Sequence, residues 1–305
     1  EGKVFDNKPI SIAAGPRTQA MPDVAADDKG FMVVWHGFVD ENILPQVFTA
    51  RVGTDGAVNA PVSLIPAPSS SPRIAWNGKE HLVVYKNLPN TRISRQNTKW
   101  LRMDTAGKVL SKRNWRKVFT SSPRLSVCGV SGDKGWLMAY DGGGPNWWNR
   151  GLGIQRVVVF TPDGTKEQSW DNRGTYLPKK GEPPNWLDTS YGKGSQRNIG
   201  QSANTPKVFP YGVNAVAADG KYCVAVWQRF HMGGATGMEL INCDILASRV
   251  DGYKVLDKGG ITVSVSKAEE LNPALAGNGA GKLLCVYEKV TDGKSLICAK
   301  ILQTK

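Results

Sequence analysis

The sequence predicts an all-β protein built from repeated four-stranded antiparallel sheets. Three observations carry that prediction: a segment grammar that recurs five times, glycine turns at hairpin spacing, and chain ends that resemble a missing strand and its surplus copy. The grammar is visible in PDVAADDKGFMVVWHG (Pro22–Gly37), PRIAWNGKEHLVVYKN (Pro72–Asn87), PRLSVCGVSGDKGWLMAYDG (Pro123–Gly142), NAVAADGKYCVAVWQR (Asn214–Arg229) and PALAGNGAGKLLCVYEK (Pro273–Lys289). In each, a short apolar strand follows Pro or Asn and leads to a Gly/Asp/Asn turn. A second apolar strand then ends in an aromatic: Trp35, Tyr85, Tyr140, Trp227 or Tyr287.

A third strand and a tight turn follow, as in FTARVGTDGAV, WLRMDTAGKVL, VVVFTPDGTKE and LASRVDGYKVL. Asp-Gly and Ala-Gly pairs suit reversals between antiparallel strands. Each unit is thus a four-stranded meander of roughly 50 to 60 residues, and a repeat of that length and content predicts a β-propeller. The last unit, ending SLICAKILQTK, lacks a fourth strand, and the first residues, EGKVFDNKPISIAA, resemble the fourth-strand segment DGAVNAPVSLIPA. The expectation is one five-bladed propeller domain over residues 1–305, its N-terminal strand completing the last blade and removing an open sheet edge. The blades fall at about 17–66, 67–118, 119–170, 207–266 and 267–305 with 1–14. Successive aromatics lie 50, 55, 87 and 60 residues apart. The excess marks an insertion loop at 171–206, rich in Gly, Pro, Asn and Ser.

Composition narrows the function. The chain has 305 residues, 40% hydrophobic and 21% charged, as in soluble globular proteins. No apolar run approaches the roughly 18 residues of a membrane helix. No basic leader precedes an apolar block, which fits a mature secreted or periplasmic chain. The net charge of +13 favours an anionic partner such as an acidic polysaccharide or a nucleic acid, and a solvated basic surface is the plain alternative. Nine cations crowd Arg92–Lys117 (Arg92, Arg95, Lys99, Arg102, Lys108, Lys112, Arg113, Arg116 and Lys117) against one acid, Asp104. Only two aromatics, Trp100 and Trp115, fall in that run, fewer than the successive stacking platforms of a strand-binding groove, which argues against nucleic acid. Of the five cysteines, none forms CxxC or CxxCH. Cys223 with Cys243, and Cys285 with Cys298, each span a hairpin, so disulfides there and buried thiols both stay open.

The repeat also sorts candidate site residues. The first position after each starting Pro or Asn holds Asp23, Arg73, Arg124, Ala215 and Ala274; two residues on come Ala25, Ala75, Ser126, Ala217 and Ala276. Alternation puts these two positions on one face, with Val24, Ile74, Leu125, Val216 and Leu275 on the other. In a propeller the first strands line the channel, so Asp23, Arg73 and Arg124 would meet at its mouth. They read either as a site for an anionic group or as an ion network that plugs the channel. The residues after the aromatics, His36, Lys86, Asp141, Gln228 and Glu288, are polar and all different, as on a scaffold presenting varied groups. The loops beyond them exceed a bare hairpin in four units. DGGGPNWWNRG holds Trp147, Trp148 and Arg150, which suit a sugar ring, and Trp186 lies in the insertion. His81 falls within a strand and reads as structural. His36 and His231 follow second strands.

No P-loop, HExxH or GxSxG is present, no metal ligand set is complete, and no cofactor is expected. The architecture resembles five-bladed propeller proteins, which include arabinanase- and invertase-type glycosidases and sugar-binding lectins. In those glycosidases, carboxylates ring the channel mouth. The resemblance implies Asp23, Asp141 and one of Asp40, Glu41 or Glu288 in that role, with carboxylate spacing setting the stereochemical course. Arg73 and Arg124 depart from a neutral-sugar site and favour an acidic sugar, or a lyase with His36 or a Tyr as base. Carbohydrate binding, with or without processing, is the first expectation: Asp23, His36 and Asp141 as catalytic candidates, and Arg73, Arg124, Lys86, Trp147, Trp148, Arg150, His231 and Trp186 as binding candidates. A non-catalytic scaffold holding a partner protein is the alternative.

Overall fold

A computed structural model describes residues 9–15, 17–39, 44–87, 97–114, 125–129, 136–141, 155–160, 167–171, 207–233, 239–251, 254–257 and 260–304. Among the described residues there are strands and turns but no helix. The chain divides into two compact units, Glu1–Phe119 and Thr120–Lys305.

The first unit holds two four-stranded antiparallel sheets. One is β1 (Gln19–Asp27), β2 (Gly30–Gly37), β3 (Gln46–Gly53) and β4 (Val62–Ile65). The other is β5 (Ser69–Trp76), β6 (His81–Asn87), β7 (Asn97–Met103) and β8 (Val109–Asn114). Period-two alternation gives each strand two faces. Met32 and Val34 face the second sheet and join Val47, Ile74, Val83, Tyr85, Leu101 and Met103 in one core. Val33, Trp35, Ala50 and Val52 form a cluster on the opposite face, against Ile12 and Ala13.

The second unit begins with the sheet β9 (Leu125–Gly129), β10 (Trp136–Asp141), β11 (Gln155–Phe160) and β12 (Glu167–Asp171), paired in sequence order. β13 (Lys207–Ala218), β14 (Cys223–Gly233) and β15 (Glu239–Asp251) follow, with the short β16 (Lys254–Val255) and β17 (Ile261–Ser264) both on β15. β18 (Glu269–Gly277), β19 (Lys282–Thr291) and β20 (Lys294–Gln303) complete the chain, joined to β15 by one parallel bridge, Cys243 with Glu269. Val224, Val226, Ile245, Ala247 and Val263 pack against Leu283, Cys285 and Tyr287. Each fully buried side chain of this size stabilises the fold by about 1.5–3 kcal/mol.

The turns that punctuate the repeat have a common mechanism. Asp27, Asn77, Asp219 and Asn278 each accept backbone N–H groups two or more residues ahead, from Lys29 at 2.8 Å, Lys79 at 3.0 Å, Lys221 at 2.6 Å and Ala280 at 2.8 Å. An Asx side chain thereby closes the first-to-second strand turn. Gly220, at φ 101°, is obligatory in its turn, because a Cβ there would overlap the carbonyl of Gly279.

One boundary differs from expectation. The prolines taken as strand starts lie inside longer strands. Register shifts at Ala20/Asp23, Ser70/Arg73 and Leu271/Ala274 mark β-bulges. In each, the residue before the proline is left-handed: Met21, Ser71 and Asn272, at φ 54°, 50° and 51°. Proline donates no ladder hydrogen bond and is tolerated at a bulge. The apolar pattern restarts there, so the first half of each strand is hidden from periodicity.

β20 is the outer strand of its sheet and has no partner on its far side among the described residues. Residues 9–15 form no strand, and residues 1–8 of the expected closing strand lie outside the described residues. So does the 171–206 loop, apart from Asp171 at the end of β12.

Candidate functional site

The first unit gathers Asp23, His36, Arg73 and Lys86 around the bulged segment Ser70–Ile74. His36 ends β2 next to Trp35, which is buried, donates its indole N–H to Gln19 Oε1 at 2.6 Å and stacks on Phe48 at 5.8 Å. Alternation turns His36 to the other face, where its Nδ1 accepts the Ser71 N–H at 3.2 Å. A ring that accepts at Nδ1 carries its proton on Nε2. Burial also pushes the pKa of His36 below its usual value, so the imidazole is neutral at pH 7. Phe38 meets its ring edge-on at 6.3 Å.

Asp23 holds the other end of the bulge: its Oδ2 accepts the Ile74 N–H at 2.8 Å. Burial raises its pKa, and the Ile74 hydrogen bond and the nearby Arg73 charge oppose the rise. Arg73 lies between the two grips and donates to the Pro72 carbonyl at 2.9 Å. Lys86, buried, stands opposite Ser70 in the β5–β6 register. Asp23 and Ala25 do share a face, as the alternation predicts. That face meets the second sheet, however: Ala25 is packed in the core between the two sheets.

A second polar group lies at the far end of β1. His81, fully buried, places Nε2 2.8 Å from Asp27 Oδ2, and Arg51 clamps both Asp27 oxygens. Burial acts to raise the pKa of Asp27, but the hydrogen bonds from Arg51 and His81 prevail and hold it at about 2. Burial outweighs Asp27 at His81 and lowers that pKa. With Trp76 against the His81 ring at 4.7 Å and Arg51 also bonded to the Thr105 carbonyl at 2.7 Å, this group ties the two sheets together. Arg102, one cation of the basic run, is likewise engaged, pairing twice with buried Glu80 at 2.9 and 2.8 Å.

In the second unit, His231 Nε2 lies 2.6 Å from Asp244 Oδ2. Asp244 is only 3% exposed, and its Oδ1 has no hydrogen-bond partner among the described residues. Sequence reasoning missed Asp244; the signal was a lone acid inside the apolar run INCDILAS. Glu270, fully buried, was missed too. It accepts from Ser264 at 2.7 Å and Ser266 at 2.9 Å, and the Tyr287 hydroxyl lies 3.0 Å from Ser264 Oγ. Gln228 is buried. Glu288 accepts from Ser295 at 2.6 Å and Asn272 at 3.1 Å, and these bonds lower its pKa.

Arg124, Trp147, Trp148, Arg150 and Trp186, and the acids Asp40 and Glu41, lie outside the described residues. Asp141 closes β10 opposite Gln155, and its side chain is likewise outside them. Among the described residues, no three His, Cys, Asp or Glu side chains are grouped so as to hold a metal ion. No helix is long and apolar enough to cross a membrane. No disulfide joins any two of the five cysteines in this structure. The closest sulfur contact lies on neither expected hairpin: it joins Cys128 of β9 to Cys223 of β14 at 2.9 Å.

No protein-family profile matches the sequence. No curated protein matches it either. Among solved structures, the polysaccharide lyase Uly1 is similar over 94% of this chain and 58% of that one, at 8% identity and a TM-score of 0.54. An endo-arabinase from Bacteroides thetaiotaomicron is similar over 95% of both chains, at 11% identity and a TM-score of 0.39. A sialidase from Trypanosoma rangeli is similar over 94% of this chain and 45% of that one, at 12% identity and a TM-score of 0.45. The likeness to the lyase is one of fold, and this chain spans little more than half of that protein's length. The class so defined is all-β: among the described residues there are three four-stranded antiparallel sheets and one eight-stranded sheet with a single parallel bridge, and the likeness in fold supports a propeller type.

Proposed function

We propose that this chain is a secreted or periplasmic five-bladed propeller that binds an acidic polysaccharide where the first strands meet the loops following the second strands. The observation that carries the reading is the grouping on Ser70–Ile74: Arg73 and Lys86 on the segment and opposite it, with neutral His36 and Asp23 gripping its two ends. Two cations beside an uncharged imidazole suit a uronate, whose carboxylate an Arg guanidinium pairs with bidentately. The net charge of +13 would draw such a polymer to the protein. A similar fold serves a polysaccharide lyase, and fold alone does not decide chemistry. In this reading Arg124, Trp147, Trp148, Arg150, Trp186 and His231 remain the binding candidates of the second unit. Asp141 is the remaining catalytic candidate. In the five-bladed reading the sheet ending in β20, whose Leu296, Ile297 and Ile301 stand 57%, 77% and 71% exposed, is the one short of a fourth strand.

A second reading is favoured by one observation. The Asp23 carboxylate is already engaged by the Ile74 N–H, as a structural clip and not as a poised acid. The chain would then hold its ligand without cleaving it, or hold a partner protein through the same loops and basic flank.

The deciding experiment is a glycan array with neutral and uronate-containing polysaccharides, read for wild type, Arg73→Ala and Trp147→Ala, with thermal melts as a folding control. Uronate binding that Arg73→Ala abolishes while leaving the melt unchanged supports the reading. No binding to any glycan overturns it. Formation of reducing ends or of unsaturated uronate product separates processing from binding.

A further inference from the structure

In the second unit β9 is clipped to the neighbouring sheet in two ways. The Val216 N–H of β13 donates to the Ser126 hydroxyl of β9 at 3.0 Å. Two residues further along β9, Cys128 meets Cys223, the first residue of β14, with their sulfurs 2.9 Å apart. Cys128 is 6% exposed and Cys223 is fully buried. Cys223 also directs its S–H toward the Gly129 carbonyl at 3.6 Å. Both thiols sit on strand backbone fixed by the ladder, Cys128 opposite Leu137 and Cys223 opposite Ala218. The 2.9 Å separation leaves less than about 1 Å to close before the sulfurs reach the roughly 2.05 Å of a disulfide.

We propose that Cys128 and Cys223 form a disulfide that fastens the third sheet to the fourth. The inference does not rest on the carbohydrate reading. The two thiols lose two protons and two electrons as the S–S bond forms. A low-molecular-weight disulfide such as oxidised glutathione accepts them and leaves as two thiols. Burial raises the pKa of Cys128 well above the usual thiol value. In the folded protein it is therefore a poor thiolate, so the bond forms during folding and then resists exchange. The closed loop carries the long polar segment 171–206, and a cross-link over so long a loop removes much denatured-chain entropy.

The test uses the full chain refolded in a glutathione redox buffer, then denatured and alkylated without reductant. The five cysteines fall on separate tryptic peptides, so linkage can be read directly. The expected result is alkylation of Cys243, Cys285 and Cys298 only, with Leu125–Lys134 joined to Tyr222–Arg229. Reductant should lower the Tm of wild type by on the order of 10 °C, and the Tm of Cys128→Ala should not respond to it. Alkylation of all five cysteines in folded, oxidant-treated protein overturns the inference. So does a linkage of Cys223 to Cys243 or of Cys285 to Cys298. If Cys128→Ala fails to fold, the wild-type peptide map still decides.

Discussion

Asp23 and Ile74 are joined across two sheets by a 2.8 Å hydrogen bond, from the Ile74 amide to a carboxylate oxygen of Asp23. Ser126 does the same for Val216 at 3.0 Å in the second unit. Ile74 and Val216 occupy one position of the repeat. The β5 and β13 amides at this position face a neighbouring sheet, so a side chain from that sheet is the acceptor.

Replacing Asp23 by Ala leaves the Ile74 N–H buried without that acceptor. The expected loss is about 1–3 kcal/mol in urea unfolding. Asp23→Asn, which keeps an acceptor oxygen, should recover most of it. Equal losses in both variants would mean that the charge, and not the hydrogen bond, matters.

Acid should destabilise the protein in two stages. His36 and His81 are both held below the ordinary value of 6.5, so the unfolded chain takes up protons that the folded chain refuses. Stability therefore falls as pH drops below about 6.5. Asp27, held at about 2 against an ordinary 3.8, contributes stability that is full above about pH 4 and lost between there and pH 2, about 2 kcal/mol in all. Asp23, raised by burial, has the opposite sign: its contribution improves as pH falls toward 3.8. Urea midpoints measured from pH 8 to pH 2 report the profile, and His36→Asn should shrink the first stage to the part that His81 contributes.

Ser71, left-handed at φ 50°, sits between the two grips of the bulge. Ser71→Gly should keep or slightly raise stability, because glycine adopts this conformation without steric cost. Ser71→Val should cost about 1–3 kcal/mol. Chemical denaturation of the pair checks the strain argument.

Removal of residues 1–14 should lower the Tm, because Ile12 and Ala13 pack against the cluster of Val33, Trp35, Ala50 and Val52. Ile12→Ala in the full chain should reproduce part of that loss. A truncation that leaves the Tm unchanged would remove the case for this packing.

Much of the strand pattern was legible because it is local. The continuous apolar run FMVVW marks a strand buried on both faces, with Met32, Val33, Val34 and Trp35 all buried, and the Asx-Gly pairs reverse the chain within a few residues. The aromatic at the end of the second strand is large enough to need burial, and Trp35, Tyr85, Trp227 and Tyr287 are all buried. The bulges were not legible, because Met21, Ser71 and Asn272 carry no composition signal for a left-handed backbone. Asp244 escaped because its partner His231 is paired across β14 and β15 only through their register.

The sequence by itself determined the all-β class, the antiparallel meander and the identity of the varied polar positions, since these follow from side-chain period and turn chemistry over a few residues. Only the tertiary structure decided what those side chains touch. It gave Asp23 to the Ile74 amide, His36 to Ser71, His81 to Asp27 and Cys128 to Cys223. Each of these pairs spans 35 or more residues. Contacts at such separation are set by how one sheet packs on the next, and no local pattern encodes that.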